Sequence, residues 1–132
     1  MAGNVQFRLA ILWLVTAAGA TMFVTLQSFS FLNAYVRAHG AMPAVTFDPA
    51  MLWIVFAFYG AWIVPPLLAL AGTRWGDRAM LGLGGFLVIL NTLGGIFDGM
   101  RDGGQLIFLA LLCIALPGSC ATLASWRHVR AG

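Results

Sequence analysis

The chain has 132 residues, 61% of them hydrophobic and 8% charged, with a mean hydropathy of +0.93. A soluble domain is about a quarter charged and could not hide so much apolar surface at this size, so a water-soluble fold is excluded. The formal charge is +3, but the arginines stand singly at the ends of apolar runs, without the stripe or basic helix of a nucleic-acid binder. No nucleic-acid partner is expected.

The first apolar run predicts a helix over 8–37, long enough to tilt or to project beyond a hydrocarbon core of about 30 Å. Its start, Arg8 followed by Leu9–Val15 and Ala18-Gly19-Ala20, has the form of a cleavable signal peptide. The apolar pattern continues well past Ala20, so the segment is expected to remain as the first helix. Gln27, Ser30, Asn33 and Arg37 recur on one face of it. Ala17, Thr21 and Thr25 form a stripe of small residues. Turn residues from Gly40 to Pro49 end the run, and His39 stands beside them.

The second run predicts a helix over 49–72, bent at Pro65-Pro66. The third, over 79–98, is rich in glycine (Gly82, Gly84, Gly85, Gly94, Gly95, Gly99), and Gly95-x-x-x-Gly99 permits close backbone approach. Asn91, Asp98 and Asp102 share one helix face, with Arg101 beside them. The fourth, over 105–126, should be disturbed at Pro117-Gly118. Its cysteines, Cys113 and Cys120, are about 10 Å apart along the helix axis, too far for an intrachain disulfide, and are expected to be buried and inert. The joints are Gly72 to Asp77 and Gly99 to Gly104.

These elements predict an all-α integral membrane protein: one four-helix bundle, up-down-up-down. Arg8, Arg74, Arg78, Arg127 and Arg130 then share one side, and Arg37 and Arg101 the other. The positive-inside rule places both termini in the cytoplasm. Trp75 and Trp126 fit an inner aromatic belt and Trp53 an outer one, while Trp13 and Trp62 lie deeper and are expected to pack.

The polar faces of helices 1 and 3 converge toward the outer side. A pocket of Gln27, Ser30, Asn33, Arg37, Asn91, Asp98, Arg101 and Asp102 is the candidate site, with Arg37 paired to Asp98 or Asp102. The same residues also suit a simple inter-helix clamp with charges at headgroup level. No catalytic residue, metal site or cofactor is expected. His39 with Asp48 is too sparse for zinc, and no Gly-x-Ser-x-Gly elbow or phosphate-cradling loop occurs. Gly82-Leu83-Gly84-Gly85 lies within an apolar helix and reads as packing.

Phe58-Tyr59-Gly60, Arg78 and Asn91-Thr92-Leu93-Gly94-Gly95-Ile96-Phe97-Asp98-Gly99 resemble the DoxX-like group of small four-helix bacterial membrane proteins over about two thirds of the chain. The resemblance implies a helical bundle in a bacterial inner membrane and transfers no catalytic residue. Small multidrug exporters carry a Glu in helix 1, which this chain lacks. Disulfide-forming quinone reductases and mercury carriers need paired cysteines, also missing. The expected function is a non-catalytic accessory or structural subunit of a larger inner-membrane complex. Its partners would be membrane lipids and either another protein or a second copy, packed through glycine-rich faces. The alternative is a carrier or binder of a lipid, quinone or other hydrophobic molecule at the outer polar pocket.

Overall fold

The computed structural model describes residues 2–39 and 48–131. Its helices are α1 (Ala2–Arg37), α2 (Pro49–Gly60), α3 (Val64–Ala71), α4 (Arg74–Asp102), α5 (Gly104–Ala110) and α6 (Leu116–Ala131). A 3-10 turn, Ala61–Ile63, joins α2 to α3, and a π-helical turn, Leu111–Ala115, joins α5 to α6. The result is four continuous helices, each long and apolar enough to cross a membrane. The joint predicted from Gly40 to Pro49 lies outside the described residues, apart from its last two.

Helix ends differ from the sequence expectation where capping or glycine was misjudged. The first helix begins at Ala2, ahead of the predicted residue 8. The third spans Arg74–Asp102 instead of 79–98. Thr73 starts it early, its Oγ1 accepting from the Gly76 N–H at 3.0 Å and satisfying a donor that a helix start leaves free. Gly99 does not stop it, because glycine is tolerated inside membrane helices. The break comes only at Gly103, whose φ of +135° other residues rarely adopt. The fourth helix continues to Ala131, past the predicted 126.

Both proline sites disturb their helices as expected, one turn upstream of the ring. A proline has no N–H and crowds the carbonyl four residues earlier. Pro65 and Pro66 therefore follow the tight turn Ala61–Ile63, and Pro117 follows the wide turn Leu111–Ala115. The carbonyl that Pro117 cannot bond belongs to Cys113, and it abuts Gly19 of α1 so closely that a Cβ there would collide with it. The glycine lets the freed carbonyl sit against the neighbouring backbone.

Several of the largest fully buried side chains, among them Trp13, Met80 and Ser125, lie toward one end of the bundle. Trp13 of α1 is fully buried against Gly84 of α4, where any side chain would strike the indole. Its Nε1–H donates to Ser125 Oγ of α6 at 3.0 Å, so three helices meet at one ring. Trp62 is buried too, and packing is thus the fate of both deep tryptophans. Gly118 seats Val88, and Gly95 and Gly99 seat Ala110 and Ile107. Most of the glycine face of α4 is therefore consumed inside the chain. Gly82 and Gly94 face open space, and Thr21 and Thr25 are exposed. The cysteines depart from expectation: Cys113 is half-buried and Cys120 exposed. The buried face of α6 is Gly118, Ala121 and Ser125, which turns Cys120 outward.

Gln6, Gly72 and His128 come together at one end of the bundle, and Asn33 and Gln105 at the other. Toward the Gln6 end, α1 buries Leu9, Ala10, Trp13, Thr16 and Ala20. Toward the Asn33 end α4 and α5 stay packed at Gly95, Gly99, Leu106 and Ala110, but α1 and α2 do not. Past Phe23, α1 has no buried residue, and α2 buries none at all.

Candidate functional site

The predicted polar cluster is assembled only in part, and register decides which part. Trp13 meets Gly84, and Gln27 Nε2 donates to Asp98 Oδ2 at 2.7 Å. Both pairs share one sequence offset, so the two helices advance together. That offset puts Arg37 level with a point about six residues, or ~9 Å, past the end of α4. The expected pairing of Arg37 with Asp98 or Asp102 accordingly does not form. Arg37 is exposed at the helix end, and Gln27 takes the place predicted for it.

The remaining candidates disperse. Asn91 is buried, but its Nδ2 donates to the Leu87 carbonyl of its own helix at 3.2 Å. Arg101 Nε and Asp102 Oδ1 lie 3.4 Å apart on the exposed last turn of α4. Such an exposed neighbour pair contributes little. Ser30 and Asn33 lie on the face of α1 turned toward α5, not toward α4. With Gln105 they form the polar side of a groove of about 440 Å³, whose apolar side is Leu26, Phe29 and Leu109. The polar face read from α1 is real, but its two halves serve different neighbours.

Two contributors escaped the sequence reading. Tyr59, half-buried at the end of α2, lies within electrostatic reach of Asp98. Gln105 stands at the start of α5 and lines the groove. Each is the polar group nearest a helix break, Gly60 in one case and Gly103-Gly104 in the other, and that position was the available signal. Among the described residues no cluster of three or more His, Cys, Asp or Glu side chains could hold a metal ion.

Chemically, the Asp98 end offers a half-buried carboxylate that accepts one amide hydrogen bond. A carboxylate has about four lone-pair sites, so the group can accept further donors. Beside it runs an apolar groove with two amides and a hydroxyl on its rim. This arrangement suits binding and positioning. No protein-family model, curated protein or solved structure matches the chain.

Proposed function

We propose that this protein is a non-catalytic accessory subunit of a larger bacterial inner-membrane complex, with its Asp98 end as the seat for a partner helix. It lies up-down-up-down with both termini in the cytoplasm, because the arginine-rich end is the Gln6 end. The observation that carries this reading is the unequal packing of α1 and α2. Residues Pro49 to Ala57 are all exposed, including Trp53, Ile54 and Phe56. At the same end α1 exposes the polar side chains Ser30 and Asn33, whereas Thr25 and Ser28 donate to the Thr21 and Val24 carbonyls of their own helix. Lipid tails solvate the apolar groups well, but polar groups at membrane depth favour protein neighbours. A partner helix laid against the α5-facing side of α1 would give Ser30 and Asn33 hydrogen-bond partners, and another surface of the complex would cover α2. The DoxX-like resemblance implies a bundle of this kind.

Site-specific photocrosslinking in native membranes tests this. A crosslinker at Phe29 or Trp53 should capture one discrete protein band, while one at Leu123, exposed on the packed half of α6, should capture lipid only. Identical, protein-free patterns at all three positions would sink the subunit reading.

The groove beside Asn33 supports a second reading, binding of an amphipathic molecule of the lipid or quinone class. Its volume of about 440 Å³ falls within the range of small-molecule sites. Ser30 and Asn33 can hold a polar head while Leu26 and Phe29 flank a tail. In that case Asn33→Leu lowers retention of the copurifying molecule and leaves the crosslinked protein band unchanged.

A further inference from the structure

At the Gln6 end a smaller pocket of about 240 Å³ is lined by Gln6, Gly72, Arg74, Asp77, Arg78 and His128. One liquid water occupies roughly 30 Å³, so the space exceeds what a single ion needs. Four segments build it: the start of α1, the Gly72 turn after α3, the first turns of α4 and the end of α6. Gly72 holds φ +62°, and the Gln6 amide packs where a Cβ would project.

The charges in this pocket are incompletely matched. Arg74 and Arg78 are exposed, and neither forms an ion pair among the described residues. Asp77 has one oxygen, Oδ2, 3.3 Å from His128 Nε2. Its other oxygen, Oδ1, is buried with no hydrogen-bond partner. An unpartnered buried carboxylate oxygen is costly, and the Asp77 that carries it lines the pocket. The site thus offers two free cations and an acceptor that needs an N–H.

A simple anion would meet the arginines but also the Asp77 carboxylate. A quaternary ammonium has no N–H to donate to the Asp77 carboxylate. A phosphate joined to a primary ammonium satisfies both halves. The surroundings name its source. The pocket lies at the joint between the second and third spans, and Trp75 and Trp126, both exposed, flank it. Exposed tryptophans next to apolar spans mark the headgroup level, and basic pockets between helices at that level bind lipid headgroups. We propose that this pocket binds the phosphoethanolamine headgroup of a membrane phospholipid, with the phosphate on Arg74 and Arg78 and the ammonium on Asp77.

The test is lipid binding to the purified full chain in mild detergent by native mass spectrometry. It compares phosphatidylethanolamine, phosphatidylglycerol and phosphatidylcholine with matched acyl chains. The ethanolamine lipid should bind about tenfold tighter than the others. Asp77→Asn should erase that preference, and His128→Ala should keep it. Because Arg74 and Arg78 are exposed, the double variant Arg74→Gln with Arg78→Gln should fold normally and lose about tenfold in affinity for both phosphatidylethanolamine and phosphatidylglycerol. Equal binding of the three lipids, a preference that survives Asp77→Asn, or unchanged binding in the arginine double variant each overturns the proposal. Competition by inorganic phosphate or free phosphoethanolamine as strong as by the lipid overturns the lipid as occupant.

Discussion

The two halves of this bundle are made from similar residues and packed by different rules. Toward the Gln6 end, Trp13, Gly84 and Ser125 fit one another across three helices, and Gly19 receives a carbonyl from the π turn. Toward the Asp98 end, α1 and α2 expose large apolar side chains such as Phe29, Leu32, Trp53 and Phe56. Hydropathy is high in both halves, so apolarity alone does not explain which closes. In lipid the hydrophobic effect gives helices no reason to associate, and close packing around small residues does. Where helices close, glycine stands opposite bulk, at Gly84 toward the Gln6 end and at Gly95 and Gly99 between α4 and α5. The one glycine of α2, Gly60, has nothing seated against it, and α2 buries no residue.

Four experiments sharpen or break this contrast, with effects falling from the first to the last. Gly84→Leu drives a side chain into the Trp13 ring. It should destabilise by about 3 kcal/mol, the upper end of over-packing penalties, read as a lower midpoint of unfolding in detergent. Trp13→Phe keeps most of the ring but leaves Ser125 Oγ without its indole donor. A loss of about 1–2 kcal/mol is expected, and Ser125→Ala in the same background should recover part of it. Gln27→Leu and Asp98→Leu each remove the single interhelical hydrogen bond between these side chains. Their coupling energy in a double-mutant cycle should be about 0.6 kcal/mol, the usual value between membrane helices. A value several times larger would mean that the open half is also locked. Phe56→Ala should leave the midpoint of the isolated protein within about 0.5 kcal/mol while weakening capture of a crosslinked partner. A large loss of stability in the isolated protein would show that α2 is packed after all.

Much of the architecture is legible in the sequence, because the solvent imposes it. Apolar runs bounded by arginines mark four helices, and intervals of three and four place Gln27 and Asp98 on polar faces. Register is not legible in that way. It follows from the volume of Trp13 meeting the absence of a side chain at Gly84, two residues far apart in the chain and distinguished by nothing in their own surroundings. Once that offset is known, Gln27 rather than Arg37 reaches Asp98, and Arg37 overhangs. The same reasoning covers Gly95 and Gly99, whose close approach could be read but whose partners, Ala110 and Ile107, could not. Helix ends were misread at Gly99 because glycine in a membrane helix need not terminate it. Asp77 and His128 stand far apart in the chain, and only the fold brings them within 3.3 Å.

The contact between the Cys113 carbonyl and Gly19 restricts how this protein can move. If α1 slid by one turn in either direction, it would bring Val15 or Phe23 to that carbonyl, and neither could occupy the glycine's place. The same slide would set Met80 or Val88 of α4 against the Trp13 ring in place of Gly84. Piston-like travel of α1 is therefore blocked at two points by steric stops that no side-chain rotation relieves. Any working motion must be a splaying of α1 and α2 about the closed half, with its amplitude at the Asp98 end.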